Sequence, residues 1–341
     1  IALVTSLALA FYLKPLGEFL NTRDVVAGVQ VPRWFWLLLV GLLLLALTSR
    51  NRLLALISIP AFAILIQGIR LAYEKTVFIS LFLGITIGPL VIELLEAMSG
   101  QNKDKVRKGL LRVTLKKIGG IPLNPLRILS REEALHVTLW SFITSILATV
   151  MSPVGLTILI GDLLKGLKRS VVEASVLAYT VRDAIKNATY TGGFLIPLLV
   201  IGSPTGPMSA GPGLPFFTQL ESLGGMTASK YLVDNYSFTV IALTTLLSVT
   251  LASLVSYPIL IRYSRRLTLA VFKLIPAETL YALFIAIVLL LSYYDAGVRG
   301  LFGTLVVSIV SGILWRNGVS LGVLFMTLVA APTIYAFIKI I

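Results

Sequence analysis

The sequence predicts an all-α, polytopic membrane protein with about nine to ten membrane segments, some of them broken or re-entrant. Three observations lead to this fold class. Of the 341 residues, 57% are hydrophobic and only 13% are charged, whereas soluble domains carry about 25% charged residues. The mean hydropathy is +0.94. The apolar residues also occur in runs close to the roughly 20 residues that a spanning helix requires. We therefore expect an integral, multi-pass protein of the cell membrane.

Composition excludes several classes of function. The chain has no cysteine and one histidine, so disulfide scaffolds, thiolate metal sites and imidazole clusters are excluded. Basic residues exceed acidic ones by 14, but membrane proteins collect such an excess in cytoplasmic loops. The sequence contains no basic domain rich in aromatic residues, so it does not predict nucleic-acid binding. No His-Glu-x-x-His motif or convincing Ser/Lys dyad occurs, so we expect neither an enzyme nor a resident metal or cofactor.

Residues 1–98 are predicted to form the N-terminal membrane helices. Their apolar segments lie near 1–13, 34–48, 52–69 and 76–98. Only the polar run SRNR separates the second segment from the third. Such a short connection predicts an antiparallel helical hairpin.

Residues 99–134 form a basic loop with nine Lys and Arg residues. The positive-inside rule makes this loop cytoplasmic, and alternation of the spans then places Arg50 and Arg316 on the same side. Apolar residues within the loop recur at near-helical spacing, which is typical of a basic amphipathic helix on an anionic leaflet. An ordinary positive-inside loop is the alternative. At its end, Ser130 followed by two glutamates predicts a helix start.

Residues 135–235 are predicted to be a broken-helix region that holds the substrate site. The run SPVG interrupts an apolar segment, and backbone groups freed there must be buried in protein or line a watery cavity. A second break covers Asn187 to Phe217, where the eight-residue run FLIPLLVI lies between TGG and GSPTGP. This pattern is typical of a re-entrant half-helix. The alternatives are a structural kink at the first break and a Pro/Gly-rich loop outside the membrane at the second.

A charged connector joins the two breaks. Arg182 and Asp183 lie beside the second break, where ionisable residues can serve an ion pathway. They are candidates for a functional pair, and an ordinary pair of loop charges is the alternative. The connector's charged residues are Asp162, Lys165, Lys168, Arg169, Glu173, Arg182, Asp183 and Lys186.

Residues 236–341 are predicted to form the C-terminal membrane helices. Their apolar segments lie near 236–261, 277–294, 299–315 and 319–338.

These motifs carry a family resemblance. The run TGGFLIPLLVIGSPTGP resembles the glycine-proline signature of the large membrane subunit of tripartite tricarboxylate transporters. The upstream run LSREEALHVTLWSFITSILATVMSPVG and the last three apolar segments are similar to the same family, so the likeness covers about residues 76–340. The chain is divergent at the run SPVG and at VRDAIKNA. A second copy of the break, which the family carries, is not found in residues 1–75, and the chain is therefore expected to be a shortened relative.

The resemblance implies a secondary transporter for small carboxylates that is coupled to Na⁺ or H⁺. It also implies a small membrane subunit and an extracytoplasmic binding protein as partners. An anion could be held at half-helix N-termini, where unpaired N–H groups and the helix dipole favour negative charge. Asp183, with Arg182, is the candidate for ion coupling. The candidate substrate-binding residues are Ser152, Pro153, Gly155, Asn187, Thr189, Thr191, Gly192, Gly193, Ser203, Pro204, Thr205 and Gly206.

Two other functions remain open at the level of sequence. A membrane-embedded structural or assembly subunit without transport would also explain the diverged motif. A carrier or flippase for a phosphorylated lipid would use the basic loop to hold the headgroup.

Overall fold

The structure is a computed structural model, and it describes most of the chain. The described residues are 23–26, 29–33, 35–73, 77–98, 128–149, 151–165, 171–204, 207–210, 213–274 and 277–339. The predicted segment 1–13, nearly all of the basic loop, Thr205 and Gly206 lie outside them.

The described chain is all-α, as predicted, apart from two short antiparallel strand pairs. The strands are β1 (Arg23–Val26), β2 (Val29–Pro32), β3 (Gln219–Leu220) and β4 (Met226–Thr227). The helices are α1 (Phe35–Thr48), α2 (Arg52–Tyr73), α3 (Phe78–Met98), α4 (Arg131–Leu147), α5 (Pro153–Lys165), α6 (Val171–Ile196), α7 (Pro207–Ala210), α8 (Ala228–Asn235), α9 (Phe238–Leu274), α10 (Ala277–Arg316) and α11 (Leu321–Ile338).

Within the described residues, six helices are long and apolar enough to span a membrane. They are Arg52–Tyr73, Phe78–Glu96, Val172–Ile201, Phe238–Ser264, Ala282–Arg316 and Leu321–Ile338. Two shorter apolar helices accompany them, Phe35–Thr48 and Pro153–Leu164. Since each long helix can satisfy its own backbone hydrogen bonds, all of them suit a lipid environment.

The helices form two compact units. The first unit comprises the chain up to Leu71, Arg131–Leu246 and the chain from Asn317. The second comprises Ala72–Ser130 and Leu247–Arg316. Each unit is therefore assembled from segments that are distant in sequence. The division of the chain into four regions from its sequence, at residues 1–98, 99–134, 135–235 and 236–341, stays a prediction.

Helix α10, in the second unit, turns back on itself. Ala296 and Gly297 have non-helical backbone angles, and Gly297 has a φ of 63°, which glycine adopts without steric cost. The Thr304 and Ser292 hydroxyl oxygens lie 2.7 Å apart, at hydrogen-bond distance, although the two residues are 12 positions apart in the chain. In a straight helix those residues would be about 18 Å apart. Two antiparallel arms, 277–295 and 298–316, therefore form a hairpin, as the two separate apolar segments predicted.

The second arm of α10 packs parallel to α3. At one end, the Thr304 hydroxyl donates a 2.9 Å hydrogen bond to the Ser80 carbonyl oxygen. At the other end, Arg316 forms a 2.9 Å ion pair with Glu96. The ends of the two helices at Glu96 and Arg316 are thus on one side of the unit, as the predicted alternation of spans requires.

Asp295 caps the first turn of α3 at the turn of the α10 hairpin. Its carboxylate accepts hydrogen bonds from the Ser80 amide at 2.9 Å and from the Ser80 hydroxyl at 2.7 Å. A carboxylate in this position satisfies an unpaired N–H group and interacts favourably with the helix dipole. The α10 turn is in this way attached to the start of α3.

Replacing Asp295 with alanine is expected to lower the free energy of unfolding by about 1–2 kcal/mol. The variant loses the cap and leaves the Ser80 amide without this acceptor, while the Ser80 hydroxyl can still donate to the Ser292 carbonyl oxygen at 3.3 Å. Thermal unfolding of the detergent-purified protein, followed by tryptophan fluorescence, measures the effect. The control is Asp234→Ala in α8, an exposed aspartate. Equal melting temperatures for the two variants would contradict the capping role.

In the first unit, α1 and α2 are separate helices joined at Ser49–Asn51, where the SRNR run predicted a connection. The two helices do not pack against each other, so the predicted antiparallel hairpin is wrong. The Asn51 amide donates a 3.1 Å hydrogen bond to the Gly318 carbonyl oxygen, and the Ser320 amide donates a 3.1 Å bond to the Ser49 hydroxyl. This short connection therefore lies beside the start of α11. Phe35, Leu38 and Ala330 form a buried cluster between α1 and α11.

Candidate functional site

The first predicted break is present. Helix α4 begins at Arg131, directly after Ser130, with Glu132 and Glu133 in its first turn. It ends at Leu147, and α5 begins only at Pro153. Proline suits this first helical position because its missing N–H would have no partner there.

Helices α4 and α5 form a hairpin against α6. The Ser145 hydroxyl lies 3.4 Å from the Ala188 carbonyl oxygen, and Ala148 packs against Gly193. From the first of these contacts to the second, the residue number increases in both helices, so α4 runs parallel to α6. Helix α5 is joined to α6 by only the five residues 166–170 and packs against it, which makes these two helices antiparallel. The chain therefore reverses direction between Leu147 and Pro153, and we call the described residues between them, Ala148, Thr149, Met151 and Ser152, the tip of the hairpin.

The hairpin tip is buried within the first unit. Ala148, Thr149, Met151 and Ser152 are each at most 3% exposed. Met151 contacts Gly41 in the middle of α1. The tip therefore lies beside the middle of α1, and it is enclosed by other helices of the unit. Non-helical backbone in a membrane protein is tolerated where it is buried in this way.

Ser152 and Gly155 begin α5 at the tip. The Ser152 carbonyl oxygen accepts the Leu156 amide at 2.9 Å, and its hydroxyl accepts the Gly155 amide at 3.4 Å. Gly155 packs against Met326 and the Gly322 backbone of α11. The positive end of the α5 dipole is consequently directed into the interior of the unit.

The prediction of a second break at the TGG run is wrong. Helix α6 continues without interruption through the TGG run, and a π-helical turn, Pro197–Ile201, extends it. The run FLIPLLVI is thus the end of a long helix and not a bracketed half-helix. The helical stretch ends only at Gly202, which has a φ of 74° and donates its amide to the Pro197 carbonyl oxygen at 2.8 Å.

Close packing explains why the two glycines do not break α6. A Cβ atom at Gly192 would lie 2.7 Å from the Ser145 Cβ, and one at Gly193 would lie 3.0 Å from the Ala148 carbonyl oxygen. Small residues let membrane helices approach closely. Gly192 and Gly193 therefore allow α4 to pack closely against α6. They are also the residues of the predicted second break that lie beside the hairpin tip.

The other predicted binding residues of α6 bond to their own helix. Thr189 and Thr191 donate their hydroxyls to the carbonyl oxygens of Lys186 and Asn187 at 2.9 and 2.8 Å. The exposed Asn187 amide donates to the Asp183 carbonyl oxygen at 3.3 Å. Beyond the helix, Ser203 is half-buried and Pro204 is exposed.

Arg182 pairs with Asp162 instead of Asp183. Its Nη2 atom donates a 2.6 Å hydrogen bond to Asp162 Oδ1 and a 3.3 Å bond to the Ile158 carbonyl oxygen. The guanidinium lies over Gly161, where any Cβ atom would overlap it. Asp183 is exposed on the adjacent position. The expected pair of Arg182 and Asp183 is thus replaced by the pair of Arg182 and Asp162, which joins α6 to α5.

Buried polar atoms without a hydrogen-bond partner are concentrated in this part of the molecule. Each such atom usually costs about 1–3 kcal/mol, so native proteins contain few of them and those few call for an explanation. Among the described residues, four of the five lie on α4 and α6. The five atoms are Gln67 Oε1, His136 Nδ1, Trp140 Nε1, Ser141 Oγ and Arg182 Nε. Sequence reasoning did not single out Trp140 or Ser141, because an indole or hydroxyl within an apolar helix has no distinctive spacing.

The helices define an α-helical protein of the integral, multi-pass membrane class. Beyond that class, no protein-family model, no curated protein and no solved structure matches the chain. The likeness to tripartite tricarboxylate transporters therefore stays a prediction.

Proposed function

We propose that the chain is a secondary-type transporter of the cell membrane. It carries a small organic anion, a carboxylate, and a Na⁺ or H⁺ gradient drives the transport. One observation carries the proposal. The N-terminus of α5 begins at Ser152 and Pro153 inside the first unit, at a hairpin tip surrounded by other helices.

An interior helix N-terminus suits an anion. The first amides of α5 and the helix dipole supply positive potential, and the surrounding protein excludes most of the water that would screen it. Broken helices whose N-termini point at anionic substrate groups are a recurring device of membrane transporters. The 13-residue length of α5 is too short to span a bilayer, which is consistent with a half-helix.

The proposed partners follow from the resemblance. They are a small membrane subunit and an extracytoplasmic binding protein that delivers the anion, with the lipid bilayer around the helices. No role for nucleic acid is proposed.

Uptake into proteoliposomes tests the transport function. With an inward Na⁺ or H⁺ gradient, radiolabelled succinate or citrate is expected to accumulate above the level of protein-free vesicles. Collapsing the gradient with an ionophore should abolish the accumulation, because the gradient drives it. Failure of both anions to accumulate, with protein that is monodisperse and melts cooperatively, would reject carboxylate transport and favour a non-transporting membrane subunit.

A further inference from the structure

We infer that residues 213–217, which we call the return turn, insert into the lipid interface of the membrane leaflet in which α6 ends. They belong to the connection between the span that ends at Ile201 and the span that begins at Phe238. The chain leaves the helical stretch at Gly202, but the contacts of the return turn place it back along the side of α6. Insertion of this turn is independent of the proposed transport.

The return turn packs against α6 well before the end of that helix. The rings of Phe216 and Phe194 are in edge-to-face contact, with centroids 5.2 Å apart. Gly213 lies so close to the same ring that a Cβ atom at this position would be 2.8 Å from the Phe194 carbons. Phe194 precedes Ile201 by seven residues, a distance of about 10 Å along a helix. The return turn therefore lies below the end of the span and beside it.

A second contact attaches the same connection to the side of α6. The buried Ser229 hydroxyl in α8 donates a 2.6 Å hydrogen bond to the Leu198 carbonyl oxygen. Helix α8 also contacts the turn Leu214–Phe217 and the π-helical turn Pro197–Ile201. The connection consequently folds down onto the end of α6 and is not an extended tether in water.

The charges of α6 indicate which part of this helix lies in lipid. Asp183 and Lys186 are exposed, and exposed charges are costly in hydrocarbon. From Lys186 to Glu221 the sequence contains no charged residue. Phe194 lies eight residues beyond Lys186 in this uncharged stretch. The part of α6 that suits lipid thus includes Phe194, and the return turn lies at the depth of Phe194.

The chemistry of the return turn suits lipid as its partner. Leu214 and Phe216 are 37% and 44% exposed, and such side chains are typical of segments buried about 5–10 Å into the boundary between headgroups and acyl chains. Irregular backbone near lipid requires bonded amides. Pro215 has no amide N–H, and the Gly213 and Phe216 amides donate to the carbonyl oxygens of Met208 and Gly213 at 2.9 and 3.0 Å. A soluble partner cannot reach a surface at this depth.

Spin labels on single cysteines test the insertion. The chain has no native cysteine, so Leu214→Cys and Phe216→Cys each accept one nitroxide. The matched control is Glu221→Cys, at an exposed charged residue just beyond the return turn. The labelled proteins are reconstituted into vesicles of phosphatidylcholine and phosphatidylglycerol. Power-saturation spectroscopy then measures collisions of each label with oxygen, which concentrates in lipid, and with a nickel chelate, which stays in water.

We expect the labels at positions 214 and 216 to lie about 5–10 Å below the phosphates. Their ratio of oxygen to nickel collisions should be several-fold higher than that of the label at position 221. Equal ratios at all three positions would show that the return turn lies in water. Labels at 214 and 216 that neither reagent reaches would show that protein covers the turn, for example a second copy of the chain. Either result would overturn the inference.

A measurement on the unaltered protein covers the case in which the cysteine variants disturb the contact with Phe194. A trifluoromethyl-diazirine reagent dissolved in the bilayer is activated by light, and mass spectrometry locates its adducts. Adducts are expected on Leu214–Phe217 and on the span Phe238–Ser264, but not on Glu221–Leu223. Adducts on the span with none on the return turn would contradict insertion. Since no substrate is present, this result is separate from the outcome of the uptake experiment.

Discussion

A chain that carries Ser292→Cys and Thr304→Cys is expected to form an intramolecular disulfide in nearly all molecules under mild oxidation. The two hydroxyl oxygens are 2.7 Å apart, so the replacing sulfur atoms lie within reach of each other. The natural chain has no cysteine, and no other thiol competes. Mass spectrometry of tryptic peptides before and after reduction measures the cross-link.

The matched control is Ser256→Cys with Thr268→Cys. These residues have the same separation of 12 positions but lie in α9, a continuous helix. In a continuous helix they are about 18 Å apart, and no disulfide is expected within one chain. A cross-link absent from the Ser292/Thr304 pair, or equally frequent in both pairs, would show that α10 does not reverse at Gly297.

Replacing Gly192 with valine is expected to lower the free energy of unfolding by about 3 kcal/mol, the upper end of what overpacking costs. The added Cβ would lie 2.7 Å from both the Cβ and the carbonyl oxygen of Ser145. Backbone atoms cannot move aside as the end of a flexible side chain can. Helix α4 would have to separate from α6, and the hairpin tip would lose its packing. A fall in Tm of about 4 °C follows from that free energy for a chain of 341 residues.

Gly68→Val is the control for this prediction. Gly68 is also a helical glycine, in α2, but a Cβ atom there meets nothing within 4 Å. Its valine variant should change Tm by about 1 °C or less, from altered helix propensity alone. Similar melting temperatures for the two valine variants would mean that α4 and α6 are not in close contact at Gly192. Uptake by the Gly192 variant should also fall, because the N-terminus of α5 depends on the same contact.

The comparison of prediction and structure depends on one proline, one pair of glycines and one arginine. The break before α5 was predicted from Pro153 and Gly155 within one apolar run, but proline alone does not decide a break, since Pro60, Pro89, Pro258 and Pro332 lie inside continuous helices. The break expected at Gly192 and Gly193 was wrong because glycine only permits a departure from helical angles. Whether it departs depends on the neighbouring helix, and here Ser145 and Ala148 use the glycines for close contact.

The arginine shows the same limit for charges. Arg182 and Asp183 are neighbours in the sequence, but on a helix consecutive side chains point in different directions. The partner of Arg182 is Asp162, 20 residues earlier, since the return of the chain through α5 and α6 brings their facing sides together. Asp162 was visible in the sequence as one of several connector charges, and nothing in its spacing distinguished it.

Composition and local sequence pattern were therefore enough to predict some features of this chain. Low charge and long apolar runs predict helices in lipid, the short polar runs indicate where several helices end, and the absence of cysteine excludes thiol chemistry. Tertiary packing alone decided that α10 reverses, that α6 does not break at its glycines, and that Arg182 faces Asp162. These features depend on contacts between residues far apart in the chain, and helical periodicity describes only one element at a time.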